Sequence, residues 1–304
     1  MSGPGRPART LGLALAILLL GACSAPTANG SDGSDGAEAA STATSAAKDR
    51  PDASGSDGDG GDIALPPTSG GLDYQLGGAF PTDAAVVVRD AGADPEPGAY
   101  SVCYVNGFQT QPGDADVWSD HPELLLGDAD GDPVRDPDWP DELVLDPSTP
   151  AERVGILAII GPVIRGCAEA GFDAVEIDNL DTFTRFPGID EAGALDLATA
   201  YVAIAHGSGL AIGQKNAAEL AARGRDEIGF DLAVAEECAA FDECAAYTDV
   251  YGDHVLQVEY PDALDDAGLT FTDACARADR APLMVLRDRD LVPEGQDGHL
   301  RETC

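Results

Sequence analysis

Gly171-Phe172-Asp173-Ala174-Val175-Glu176-Ile177-Asp178-Asn179 is the stretch on which the fold turns. It is a short run, opened by a glycine and closed by Asp-Asn, in which Val175 and Ile177 alternate with Glu176 and Asp178. A period of two marks a β-strand, because successive side chains point to opposite faces. Val175 and Ile177 then face covering helices, and Glu176 and Asp178 face the other way. Helical sequence flanks the run on both sides, at Thr149 to Ala170 and Asp190 to Ser208. A strand set between two helices is the repeating unit of a parallel sheet.

Similar runs recur outward from this one, at Ala84 to Arg89, Tyr100 to Asn106, Glu142 to Asp146, Leu210 to Asn216, Phe230 to Glu237, His254 to Tyr260 and Pro282 to Asp288. Further helices are expected at Asn216 to Arg223 and Thr270 to Ala278. With Asp173 to Asn179 the strands number eight, enough to close a (β/α)8 TIM barrel in the α/β class. Asp90 to Ala99 is too short and too rich in Gly and Pro for a helix, so the first βα unit is incomplete. An open doubly wound sheet is the structural alternative.

The chain begins differently. Arg6 and Arg9 precede the apolar run Leu11 to Leu20, which is of signal-peptide length and too short for a permanent span. Leu20-Gly21-Ala22-Cys23 follows and resembles a lipobox, with Cys23 as lipid acceptor. A segment rich in Ser, Gly, Ala and Asp comes next, with almost nothing apolar to bury, and reads as a disordered tether. Its Asp-Gly repeats lack the ligand spacing of a calcium loop. The expected organisation is a lipoprotein signal peptide at 1–22, a tether at 23–71 and the barrel at 72–304. The barrel is therefore expected outside the cytoplasm, as a monomer held to the cell membrane through Cys23.

The 304 residues include 55 Asp and Glu against 17 Lys and Arg, for a formal net charge of -38. Such a surface repels phosphates, which excludes nucleic acid as a partner and favours a neutral or cationic ligand. Six of the seven cysteines remain once Cys23 is set aside. In an oxidising compartment an even number implies disulfides. If Tyr104 and Asn106 point into the barrel, Cys103 points out toward Cys167, late in a helix. Cys238 with Cys244 and Cys275 with Cys304 are the remaining expected pairs. No CxxC pair occurs and the histidines do not cluster with cysteines, so neither metal nor cofactor is expected.

Active sites of such barrels lie at the C-terminal ends of the strands. Those ends carry Tyr104 and Asn106, Asp146, Asp178 with Asn179 and Asp181, Lys215 with Asn216, Glu236 with Glu237, and Glu259 with Tyr260. Two carboxyl groups facing one sugar bond suffice for glycoside hydrolysis: one protonates the departing oxygen, and the other attacks the anomeric carbon or activates water. Asp178 and one of Glu236 or Glu237 are the candidates. Alternation in the Phe230 to Glu237 run groups Ala233 and Ala235 with Glu237 and favours it, although a bend at the strand end leaves Glu236 open. Lys215, beyond Ala211 and Gly213, would project its ammonium into the mouth and hold a neighbouring carboxylate ionised. Tyr74, Tyr104, Trp118 and Trp139 are candidate stacking surfaces for sugar.

These motifs, taken in order, resemble glycoside hydrolase family 114. The resemblance rests on Cys103-Tyr104-Val105-Asn106, Gly171 to Asp181, Gly209 to Asn216, Phe230 to Cys238 with Cys244, and Val258-Glu259-Tyr260. It runs from about Tyr74 to Cys304, and Tyr74-Gln75-Leu76 looks like the family's entry segment without the tryptophan expected beside it. The resemblance implies a TIM barrel with endo-α-1,4-polygalactosaminidase activity, and Asp178 plus a glutamate of Glu236-Glu237-Cys238 as its catalytic carboxyls. It implies a galactosaminoglycan-like substrate, contacted by Tyr74, Gln75, Tyr104, Asn106, Asn179, Asp181, Lys215, Asn216, Glu259 and Tyr260. A rival expectation is a lipoprotein that binds polysaccharide on a catalytically idle barrel.

Overall fold

The strand that decides the fold is delivered by a helix with well-defined ends. Thr149 accepts a hydrogen bond from the Glu152 backbone N–H while the Glu152 side chain accepts from the Thr149 N–H, and Pro150 opens the first turn. The helix stops at Gly171, whose φ of 97° is left-handed and favours glycine. Ile156, Ile160, Ile164 and Cys167 form its buried stripe. In this computed structural model the described residues are 63–304. The expected signal peptide, Cys23 and tether residues 23–62 lie outside them.

The strands are β1 Leu72–Tyr74, β2 Val86–Asp90, β3 Tyr100–Asn106, β4 Ala174–Asp178, β5 Ala211–Lys215, β6 Leu232–Glu236, β7 Val255–Glu259, β8 Leu283–Arg287 and β9 Arg301–Thr303. The helices are α1 Ala115–Ser119, α2 Pro150–Ala170, α3 Thr182–Arg185, α4 Glu191–Gly207, α5 Ala221–Arg223, α6 Cys244–Tyr251, α7 Pro261–Asp266 and α8 Phe271–Cys275. Strands β1 to β8 pair in chain order and in parallel, and β9 returns antiparallel on β8. This is a TIM barrel, nearly closed. Side chains bridge the seam between its two ends: Arg287 donates to the Tyr74 carbonyl and lies 3.3 Å from the Asp73 carboxylate, and Arg301 donates to the Leu72 carbonyl at 3.2 Å.

Seven of the eight expected strands belong to the barrel. Glu142 to Asp146 does not. It sits in the long excursion between β3 and α2 and makes only isolated antiparallel bridges, such as Gln109 to Val144 and Leu125 to Leu145. Val144 and Leu145 are apolar because they are buried against the helix layer, which a sequence pattern cannot tell from strand burial. The sequence reading lacks β1, only three residues long and broken by the polar Asp73, and the short antiparallel β9. Residues 63–71, expected within the tether, already pack on the barrel: Ala64 O accepts from the Tyr100 hydroxyl, and the Gly70 and Gly71 carbonyls accept from Ala85 and Val86.

No helix follows β1 or β2 among the described residues, consistent with the incomplete start. The helix expected over 216–223 is instead a 3-10 turn, the short α5 and a π turn at Gly224–Ile228. The structure forms three disulfides, Cys103–Cys167, Cys238–Cys244 and Cys275–Cys304. Among the described residues no helix is long and apolar enough to cross a membrane.

The barrel interior is filled by Leu72, Val86, Val88, Val102, Leu232, Val234, Leu256, Val258, Leu283 and Val285. Ala233 and Ala235 of β6 belong to the outer core against the helices. The expected facing of β6 is therefore reversed. Barrel interiors take bulky branched residues in layers, whereas the outer face of this strand takes small ones.

Candidate active site

Asn106 pairs with Asp178 in the β3–β4 register, so the ends of these strands lie side by side. After β4, β5 and β6 the chain turns through a left-handed residue, Asn179 at φ 65°, Asn216 at φ 52° and Glu237 at φ 61°. Asparagine tolerates that conformation better than most residues. Each turn leaves the preceding side chain at the mouth: Asp178, Lys215 and Glu236.

Lys215 is the centre of the cluster. Its Nζ lies 3.3 Å from Glu176 Oε1, 3.5 Å from Asp178 Oδ2 and 3.2 Å from Glu236 Oε2, and donates to the Tyr74 hydroxyl at 2.9 Å. Burial works to neutralise this ammonium, but Asp178, Glu236 and Glu176 outweigh it and push its pKa up. Asp178 accepts from the Tyr104 hydroxyl at 2.7 Å and, through its other oxygen, from the Asn179 N–H at 2.8 Å. Glu236 accepts from the Tyr260 hydroxyl at 2.6 Å and from Asn216 Nδ2 at 3.1 Å. Burial alone would raise Glu236, yet Lys215 and these donors bring its pKa below the ordinary value.

Both carboxylates keep a solvent face, with side chains 18% and 22% exposed. Since both touch one nitrogen, their nearest oxygens are no farther apart than the sum of the two contacts. Beneath them, Glu176 is fully buried and accepts from Tyr74 at 2.6 Å, and burial pushes its pKa up to about 7 against the pull of Lys215. Glu176 shares the inward face with Asp178, so strand alternation carried a signal for it.

Other candidates divide. Asn106 donates to Glu142 at 3.0 Å and accepts from Asn179 at 3.2 Å. Asp181 pairs with Arg185 at 3.2 Å, which also holds Asp136 and Asn179. Tyr74 is fully buried, one layer below the carboxylates. Gln75 is buried too and braces Arg89 Nε at 2.9 Å and Asp73 at 3.0 Å, away from the mouth. Trp118 is core, while Trp139 is 57% exposed.

Two candidates lie outside the Lys215 cluster. Glu259 lies on the outer face of β7, where it accepts from Ala239 N at 2.9 Å and Gln257 at 2.7 Å. Glu237, favoured by alternation, leaves the barrel at its left-handed turn and pairs with Arg289, whose guanidinium lies 4.1 Å from the Tyr260 ring centroid. The cause is again β6: Leu232, Val234 and Glu236 share the inner face. The sequence reading also missed Glu142 as a site residue. It belongs to the β3–α2 excursion, and burial together with the charge of Asp178 pushes its pKa up to about 7. Only the folded loop brings it there.

Cys238, Cys244 and Glu259 lie close enough to suggest metal ligands. The two sulfurs are joined, however, and a disulfide offers no thiolate.

The family model for glycoside-hydrolase family GH114 matches residues 56–304. None of the curated proteins compared with the chain matches it. Among solved structures, the chain is similar to Aspergillus fumigatus Ega3 in complex with galactosamine, with 21% identity and a TM-score of 0.62 over 81% of this chain and 100% of that one. It is similar also to a variant of the glycoside hydrolase domain of PelA from Pseudomonas aeruginosa, with 16% identity and a TM-score of 0.51 over 73% and 95% of the two chains. At these identities the likeness is one of fold.

Proposed function

The chain belongs to glycoside-hydrolase family GH114, and from that premise we propose that it is an endo-acting hydrolase of α-1,4-linked galactosaminoglycan, with Asp178 and Glu236 as the two catalytic carboxyls. The observation that carries this reading is the convergence of both carboxylates on the Lys215 ammonium at the open end of the barrel, each with a face left to solvent. The galactosamine bound in the Ega3 structure supports the choice of sugar. A polymer carrying free amines is cationic near neutral pH, and this acidic chain would attract it.

In the proposed reaction one carboxyl gives its proton to the departing glycosidic oxygen while the other attacks the anomeric carbon. Water then releases the sugar from the enzyme, helped by the first group acting as base. The two Lys215 contacts hold one oxygen of each carboxylate close to the other, which is compatible with the roughly 5 Å separation of retaining enzymes. The proposal takes the retaining course. Lys215 and Tyr104 fix Asp178, and Asn216, Tyr260 and Lys215 fix Glu236, so both enter the reaction aligned.

The test is incubation with de-N-acetylated galactosaminoglycan and mass spectrometry of the products. Shortened oligosaccharides from the wild-type chain, and none from Asp178→Asn, are expected. Binding without cleavage by the wild type would overturn the enzyme in favour of a binding protein. Azide added to an alanine variant of each carboxyl distinguishes the roles: an azide adduct of inverted anomeric configuration marks loss of the attacking residue, and one of retained configuration marks loss of the acid–base residue. Export and tethering through Cys23 are proposed on the leader sequence alone; failure of Cys23→Ser to release the protein from the membrane fraction would refute them.

A further inference from the structure

The loop that follows β6 spans Glu237 to Glu243 and holds Phe241 outward, 66% exposed. Its fixation is extensive. Cys238 is joined to Cys244, Phe241 N donates to the Glu237 carbonyl at 3.0 Å, and Glu243 N donates to the Cys238 carbonyl at 2.9 Å. From below, the buried Glu259 accepts from Ala239 N, and at the far end Asp242 pairs with Arg277. Glu237 and Asp242 both hold left-handed backbone, at φ 61° and 59°, which costs energy in a residue other than glycine. A large apolar ring is thus kept in water by a rigid and locally strained loop.

The ring is not isolated from the candidate active site. Phe241 lines a cavity of about 370 Å³ together with Glu236, Asn216, Asp181, Glu219 and Glu243. That volume falls within the roughly 300 to 1,000 Å³ of small-ligand sites. Phe241, Glu237 and Arg289 also form the wall shared with a second cavity of about 420 Å³ on the α7 side. Phe241 therefore stands where a chain passing Glu236 would cross from one cavity into the next.

We infer that Phe241 is the stacking platform of a sugar subsite next to the scissile bond, taking the apolar face of an amino sugar whose ammonium is met by Glu219 and Glu243. The inference rests on the proposed galactosaminidase reading and adds a specificity-determining residue to it. Sugar rings present C–H faces that an aromatic surface buries from water. Burial and the neighbouring Glu219 push the Glu243 pKa up, and a cationic ligand would relieve that repulsion. Glu259 acts here as a positioning residue, through the loop backbone.

The experiment uses the full chain and defined α-1,4-galactosamine oligosaccharides of increasing length. Phe241→Ala is expected to raise KM for longer oligosaccharides roughly tenfold, with kcat nearly unchanged, and to shift the cleavage position; Phe241→Tyr restores both. Direct binding is measured in parallel by calorimetry in an Asp178→Asn background, with and without Phe241→Ala. Equal KM, affinity and product pattern with and without the ring would overturn the subsite while leaving the enzyme reading intact. Absence of cleavage by the wild type and of binding by Asp178→Asn would overturn both.

Discussion

Two buried charge networks in this barrel meet at Tyr74, whose hydroxyl accepts from Lys215 and whose carbonyl accepts from Arg287, and they differ in what they leave open. On the β4–β6 side, Lys215 stands among Glu176, Asp178 and Glu236, and the last two retain a solvent face. On the seam side, Arg287 is fully buried and its donors reach the carbonyls of Tyr74, Leu300 and Val292 as well as Asp73. The first network places carboxylate oxygens where a ligand could meet them; the second is saturated and closes a sheet whose end strands are not paired through their backbones. Similar chemistry thus leaves groups available to a ligand where the network is incomplete at the surface, and gives cohesion where it is complete inside.

The largest test of that contrast separates two neighbours. Glu236→Gln is expected to lower kcat by about 10³-fold or more, in line with loss of a positioned carboxyl. Glu237→Gln is expected to cost less than tenfold, because this side chain pairs with Arg289 outside the cluster. Equal losses, measured as kcat on galactosaminoglycan, would erase the distinction that the reversed facing of β6 draws.

Next in size is the seam. Arg287→Met leaves Asp73 buried with the Arg301 pair, 3.4 Å away, as its one charged partner beside the Gln75 hydrogen bond, and frees two or more carbonyls. Breaking such a network costs about 3 to 5 kcal/mol. Chemical denaturation should show that loss, while kcat per folded molecule stays near wild type. A fall in kcat without a fall in stability would place the seam within the catalytic machinery. Lys215→Met is expected to do the opposite. Removing the cation leaves three carboxyls close together, so at least one stays protonated to higher pH. The acid limb of the pH-rate profile should move upward, and activity at neutral pH should fall roughly 10- to 100-fold.

The same contrast explains what the sequence disclosed. Strand β4 was legible because its polar and apolar residues alternate sharply, Val175 and Ile177 outward and Glu176 and Asp178 inward. The helix α2 was legible from residues at its own ends. Strand β6 misled because both of its faces are apolar, and only packing distinguishes an inner Leu232 and Val234 from an outer Ala233 and Ala235. The seam was hidden for another reason: β1 is three residues long, and Arg287, distant in sequence, bridges its open edge. Non-local closure leaves no periodic trace.

The smallest expected effect is also the finest probe of the open network. Glu142 reaches the cleft from the β3–α2 excursion, hydrogen-bonded to Asn106, and burial with the nearby Asp178 charge pushes its pKa up to about 7. A carboxyl raised from its ordinary 4.5 binds more protons in the folded chain than in the unfolded one between those two values. Its stabilising contribution is therefore complete below about pH 4.5 and lost as pH rises through about 7. For a partly exposed group the change is on the order of 1 kcal/mol. Thermal unfolding of Glu142→Gln should accordingly vary less over that interval than wild type. Activity should move the other way: ionisation of Glu142 adds negative charge beside Asn106 and Asp178, which favours an amino sugar, so the mutant should lose a few-fold in kcat/KM above pH 7 and little below pH 5. A uniform loss across pH would mean that Glu142 acts through shape and not charge, and would remove the excursion from the electrostatic part of the site.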